Sequence, residues 1–162
     1  MTRNMSNTMP ANMPKNITQN LIKILMIEDD IEMAQIIKHG LEQTVCCSVR
    51  IASDPFEAMN LMSDYFYDFI ILDWQLPFLN GNETIETADR SFKLEPSLPA
   101  QWDTGKVPVI ILSASAEKQC HLEKTNHFKY SGHISKKQPL INILFSLAQI
   151  IENENGQLSK SA

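Results

Sequence analysis

Phe69-Ile-Ile-Leu-Asp73 is an apolar run of strand length that ends on a carboxylate, and an earlier run is built the same way. Leu21-Ile-Lys-Ile-Leu-Met-Ile27 leads directly into Glu28-Asp29-Asp30. Runs this short and this apolar suit strands buried on both faces, the environment of a parallel sheet. Acids confined to the ends of such strands would gather at one edge of the sheet. Crowded carboxylates need neutralising, and a hard cation is the usual means.

The rest of the chain keeps the alternation. Ile24–Ile27 reads as the first strand, and Asp30 as the cap of a helix that turns Ile31, Ala34, Ile37 and Leu41 to one face. Cys47–Ile51 is a second strand. Asp54-Pro55 then reads as a cap followed by proline at the first helical position, with Phe56, Met59 and Met62 inward. After Phe69–Leu72 come a turn through Pro77 and Asn80-Gly81 and a polar helix from about Asn82 to Phe92. Residues 93–106 hold Pro96, Pro99 and Gly105, too many breakers for one helix. They read as an extended surface insertion, since loops tolerate length cheaply. Val107–Leu112 is the fourth strand. Residues 116–129 form a marginal fourth helix anchored by Leu122 and Phe128, His133–Ser135 a weak fifth strand, and Leu140–Ile151 a final helix. Five strands alternating with five helices indicate a doubly wound α/β sheet. Residues 1–20 read as a flexible leader, 21–152 as the domain and 153–162 as a polar, fraying tail.

Bulk properties exclude several classes. With 162 residues and a net charge of −5, the chain can hold one domain and has no basic stripe for nucleic acid or anionic membrane. Its apolar runs are too short to span a bilayer, and no secretory signal opens it. Cys46, Cys47 and Cys120 are odd in number and two are adjacent, which points to free thiols in a reducing cytoplasm.

Four strands deliver polar groups at their C-terminal ends: Glu28 and Asp29, then Asp73, then Ser113, then Lys136. In a doubly wound sheet, function gathers at those ends. Singly, each residue has a plain role as helix-start acid, turn residue or solvated charge. Together they are hard to assign to chance.

The segments Ile24-Leu-Met-Ile-Glu-Asp-Asp30, Ile70-Ile-Leu-Asp-Trp-Gln-Leu-Pro77, Val109-Ile-Ile-Leu-Ser-Ala114 and Gly132-His-Ile-Ser-Lys136 resemble the receiver domain of two-component response regulators, over roughly residues 22–152. The resemblance implies a flavodoxin-like (βα)5 sheet of strand order 2-1-3-4-5. It implies that Asp73 is the phosphoacceptor, and that Mg²⁺ is held by Asp29, Asp73 and the backbone carbonyl of Gln75, with Glu28 acting through water. It further implies that Lys136 pairs with Asp73 and then with a phosphoryl oxygen. Ser113 would donate to another oxygen and carry the switch to the face of the fourth helix, fifth strand and fifth helix. The phosphodonor would be a sensor histidine kinase or a histidine phosphotransfer protein. The chain would be no turnover enzyme, catalysing only its own phosphorylation and dephosphorylation.

Two positions depart from the family pattern. Lys137 stands where proline commonly follows the lysine, and non-proline cis costs about 2.5–4 kcal/mol, so a trans bond is expected there. His133 stands at the aromatic switch position. These departures support an alternative, a phosphorylation-independent pseudo-receiver that serves as an interaction module. A phosphohydrolase with an Asp nucleophile is disfavoured, because Gln75 cannot supply the second acid. Nothing after residue 152 reads as an output domain, so the expected output is a downstream protein partner or a domain that this chain lacks.

Overall fold

Both acid-ended runs become strands of one sheet. The computed structural model describes residues 21–92, 99–103 and 105–158. The expected leader, residues 93–98 and 104 of the long connection, and residues 159–162 of the tail lie outside them. The elements are β1 (Ile22–Ile27), α1 (Ile31–Thr44), β2 (Cys47–Ala52), α2 (Pro55–Asp64), β3 (Phe69–Asp73), α3 (Gly81–Phe92), β4 (Val107–Ser113), β5 (Phe128–Ser135) and α4 (Leu140–Leu158). Every pairing is parallel and the order is β2-β1-β3-β4-β5. This is the flavodoxin-like sheet, with its topological switch between β1 and β3.

The caps form as the sequence indicates. Asp30 accepts from Met33 N at 3.0 Å, and Asp54 accepts from both Phe56 N and Glu57 N. One face of the sheet buries Ile24, Met26, Ile71, Ile110 and Leu112 against Ile37, Leu41, Ile143 and Leu147 of α1 and α4. The other buries Leu25, Leu72, Val109 and Ile111 against Met62, Ile85, Trp102 and Phe128. Each such side chain contributes about 1.5–3 kcal/mol. The two helices of the first face approach closely at Gly40, where an added Cβ would stand 2.6 Å from Leu144 Cδ1.

Several expectations are corrected. There are four α-helices among the described residues, not five: the fourth predicted helix is replaced by a 3₁₀ turn, Glu117–Gln119, and an irregular segment up to β5. Only Cys120, Leu122 and Thr125 of that segment are buried before Phe128, too few to hold a helix against the sheet. The face predicted to respond to phosphorylation therefore consists of β5, α4 and this segment. β5 is much longer than His133–Ser135, and α4 runs past Ile151 to Leu158 rather than fraying after Glu152. Ile31 and Phe56 are exposed, each in the first turn of its helix at the rim of the sheet. Cys46 is exposed, whereas Cys47 and Cys120 are buried. The long connection is more than a surface insertion, because its 3₁₀ turn Ala100–Asp103 plants Trp102 in the core.

A bulge in β5 decides which way its side chains point. Val109 pairs with Tyr130 but Ile110 pairs with Gly132, leaving Ser131 as the extra residue. Phe128 lies in one core and Ile134 in the other, which strict alternation would forbid. His133, paired with Ile111, therefore faces the side where the fourth helix was expected.

Candidate functional site

Register alone carries the four polar strand ends to one place. Ile27 lies opposite Leu72, so Glu28 stands level with Asp73. Asp73 lies opposite Leu112, putting Ser113 one residue beyond it, and Ser113 in turn lies opposite Ser135, just before Lys136. The close approach of the following turn needs a glycine: a Cβ at Gly81 would stand 2.9 Å from the Trp74 ring and 3.1 Å from the Asp73 carbonyl oxygen.

Glu28 and Asp73 are buried and Asp29 is exposed, and one carboxylate oxygen of each lies within 4.8 Å of the others. Lys136 Nζ donates to Asp73 Oδ2 at 2.7 Å and to Glu28 Oε1 at 2.8 Å. Gln75 N–H donates to Asp73 Oδ1 at 3.0 Å, so both oxygens of Asp73 are held and its rotation is fixed. Burial pushes the Glu28 carboxyl above its usual range, with the Lys136 hydrogen bond opposing and Asp73 adding to the rise. For Lys136, burial works against the ammonium, but its hydrogen bonds to Asp73 and Glu28 prevail and its pKa is raised. Lys136 is thus a fixed cation at the acids.

One ammonium does not balance three carboxylates: the formal remainder is −3 + 1 = −2. Glu28 Oε2 touches Lys136 Nζ at 2.7 Å yet is buried without a hydrogen-bond partner of good geometry. An all-oxygen donor set, a charge deficit of two and an unsatisfied carboxylate oxygen fit a hard divalent cation such as Mg²⁺.

Ser113 is fully buried; its Oγ accepts from Ser115 N at 3.0 Å, and its carbonyl accepts from Lys136 N at 2.9 Å. The second bond ties the loop after β4 to the lysine. His133 is half-buried and its Nε2 is enclosed without a partner. Among the described residues no peptide bond is cis, in line with Lys137 in place of proline.

Sequence reasoning missed two features. Phe78, in the turn after Asp73, has φ 72° and is 80 % exposed. Its ring lies 6.0 Å from that of Phe56, which is also exposed. A bulky residue in left-handed backbone is strained, and this one gains no burial in return. His127 is mostly buried and its Nδ1 lies 2.8 Å from Asp89 Oδ1. A signal was present, because Asp89 lies on the inward face of α3 with Ile85, Ala88 and Phe92. A carboxylate there must find donors.

The family model described as "Response regulator receiver domain" matches residues 24–148, and the chain belongs to that family. It is 33% identical over 85 residues to the autoinducer 2 sensor kinase/phosphatase LuxQ of Vibrio parahaemolyticus, covering 50% of this chain and 9% of that protein. It is 29% identical over 114 residues to the probable transcriptional regulator ycf29 of Pyropia yezoensis, covering 70% of this chain and 46% of that one. The chain thus spans less than half the length of these relatives. Among solved structures, the signal receiver domain of an HD domain-containing protein from Pseudomonas fluorescens superposes with a TM-score of 0.62 at 16% identity, covering 85% of this chain and 99% of that one. Chemotaxis protein CheY4 of Vibrio cholerae gives 0.57 at 19% identity, covering 80% and 98%. These likenesses establish the fold. Among the described residues, no helix is long and apolar enough to cross a membrane.

Proposed function

We propose that this receiver domain works in the cytoplasm and takes a phosphoryl group onto Asp73 from a phosphohistidine of a sensor histidine kinase or histidine phosphotransfer protein. The observation that carries this reading is Lys136 bridging Asp73 and Glu28 beside Asp29. An Asp73 oxygen bonds to phosphorus as the N–P bond breaks, and the electron pair of that bond remains on the leaving imidazole. Transfer of this kind depends on positioning and charge compensation more than on covalent chemistry. Gln75 N–H and Lys136 orient the carboxylate, and Lys136 is placed to turn from Asp73 to a phosphoryl oxygen. Asp29, Asp73, the Gln75 carbonyl and, through water, Glu28 would hold Mg²⁺, which supplies charge neutralisation for the phosphoryl oxygens. Ser113 donates its hydroxyl hydrogen to the new dianion and draws the loop after β4 with it. The domain would turn over no other substrate.

Exposed apolar side chains support docking of a phosphodonor. Phe56 and Phe78 stand beyond β2 and β3. Exposed Ile36 and Leu140, with half-buried Met33, line a groove of about 340 Å³ beside Lys136.

The test is Mg²⁺-dependent labelling by a small phosphodonor such as acetyl phosphate. Wild type is expected to label and Asp73→Asn to lose all labelling. Equal labelling of both, or none in a wild type shown to bind Mg²⁺, refutes the assignment. The missing helix between β4 and β5 favours a second reading, an interaction module whose surface does not respond to phosphorylation. That reading gains if Asp73 is labelled but amide signals of 114–135 stay unchanged.

A further inference from the structure

At the N-terminal end of the sheet, opposite Asp73, a cavity of about 270 Å³ opens between the start of β1 and β2 and the connection from α2 to β3. It is lined by Lys23, Ser48, Arg50, Tyr65, Phe66 and Tyr67, together with Leu21. Lys23, Ser48 and Arg50 occupy alternate strand positions and point to the same side of the sheet.

Three properties set it apart from a surface dent. Neither cation is in an ion pair among the described residues, whereas Lys38, Arg90, Lys129 and Lys136 all have carboxylate partners. The nearby acid Asp68 is engaged through its Oδ2 by the backbone N–H of Lys23 at 2.7 Å. Second, the Arg50 guanidinium is held 4.7 Å from the centroid of the Tyr65 ring, a cation–π contact that fixes a long side chain over the opening. Third, Tyr67 is 4 % exposed, and its buried hydroxyl lies beside the Arg50 guanidinium. Burial pushes that hydroxyl's pKa up, against the lowering hydrogen bond and charge of Arg50. With Arg50 as donor, the hydroxyl's own hydrogen still has no acceptor among the described residues, and an unmet buried donor costs about 1–3 kcal/mol.

We propose that this cavity is a binding site for a small aromatic anion: a ring carrying a carboxylate or a phosphate. The anion is met by Arg50, Lys23 and the Ser48 hydroxyl, with the Tyr67 hydroxyl donating from below, and the ring packs against Tyr65 and Phe66. The volume accommodates one ring and one anionic group. The two cations supply the charge-assisted hydrogen bonds that fix orientation. The site shares no residue with the phosphoacceptor cluster and does not depend on its chemistry.

The test is an amide NMR titration of the whole chain with four probes: benzoate, phenyl phosphate, benzamide and inorganic phosphate. Benzoate, phenyl phosphate or both are expected to shift Ser48, Arg50 and Tyr65–Tyr67 saturably, with dissociation constants on the order of 0.1–1 mM. Which of the two binds more tightly identifies the anion. Benzamide lacks the charge and inorganic phosphate the ring, so each should bind roughly tenfold more weakly. Arg50→Ala and Lys23→Ala replace exposed side chains and leave the fold intact, and each should weaken binding roughly tenfold. Tyr67→Phe should weaken it by a factor of about three to ten. No saturable shift with either ring anion, equal shifts with inorganic phosphate, or unchanged affinity in both Arg50→Ala and Lys23→Ala overturns the proposal.

Discussion

Over one face of the sheet α1 and α4 lie side by side, Leu144 against Gly40, and their backbone hydrogen bonds close within each helix. Over the other face α2 and α3 cover the first strands, and residues 114–127 cover β4 and β5 without an α-helix. Apart from the turn at 117–119, where Gln119 N and Cys120 N meet the Ala116 and Glu117 carbonyls, the segment's backbone groups need partners from elsewhere. Val107 N donates to the His127 carbonyl at 2.7 Å, and many of the other partners are side chains. The Asp89 carboxylate accepts from Asn126 N at 2.9 Å, His127 N at 2.8 Å and Asn126 Nδ2 at 3.1 Å, and meets His127 Nδ1 at 2.8 Å. Asn82 Oδ1 accepts from Glu123 N, Lys106 Nζ donates to the Thr125 carbonyl, and the Thr125 hydroxyl both donates to and accepts from the Phe128 backbone. A face closed by helices distributes its hydrogen bonds; a face closed by a tied segment concentrates them in a few residues.

That difference should be visible in mutants. The largest effect is expected at Trp102, the hub of the tied face, whose ring lies 4.7 Å from Phe92, 5.1 Å from Phe66 and 5.7 Å from Phe128. Trp102→Ala should cost about 3–5 kcal/mol in urea unfolding. Trp102→Phe should cost much less, because the indole N–H it removes is buried without a partner. Equal losses would mean that the indole N–H is satisfied in solution. Asp89→Ala comes next, at about 1–3 kcal/mol, since it strands buried donors. Its sharper signature is local: hydrogen exchange at 123–127 should accelerate while α1 and α4 amides stay protected. Uniform acceleration would show that the two faces unfold as one unit.

The same contrast explains what was legible in the sequence. The phosphoacceptor end was readable because each of its residues sits at a fixed offset from an apolar strand, and parallel register then determines who meets whom. Glu28, Asp73, Ser113 and Lys136 needed only the strand order to be placed together. The segment 114–127 was unreadable because its conformation is decided by residues far away in the chain. Asp89 and Asn82 act on it from α3, and local pattern suggests a poor helix instead. β5 was underestimated for a related reason: the bulge at Ser131 breaks the alternation that identifies a strand.

The Asp89 latch also carries a pH signature. Burial would raise this carboxyl, but hydrogen bonds from the His127 and Asn126 backbone and from the His127 ring prevail, and it is held below its ordinary range. Unfolded, the group binds its proton at a higher pH than when folded. Its contribution to stability is therefore complete above the ordinary Asp value of about 3.9 and is lost as pH falls through the folded value. Wild type should lose more stability than Asp89→Asn between about pH 6 and about pH 3, measured by urea unfolding. Equal losses would show that the carboxylate charge does not matter to the latch.

The smallest expected effect lies at the far end of the tied segment, where Tyr130 of β5 donates to Glu117 Oε1 at 2.7 Å. The contact is exposed, and Tyr130→Phe should cost no more than about 0.5–1.5 kcal/mol. It nevertheless reports on how firmly the segment is seated. Burial, then the hydrogen bond and charge of Glu117, push the Tyr130 hydroxyl up to about 12. Glu117→Gln should bring it back part of the way toward its ordinary value near 10. An ultraviolet titration of wild type against Glu117→Gln reads this directly, with Tyr130→Phe identifying the signal. An unshifted Tyr130 in wild type would mean that the turn at 117–119 leaves β5 in solution. The tied face would then be held from α3 alone, and its contrast with the helical face would be greater still.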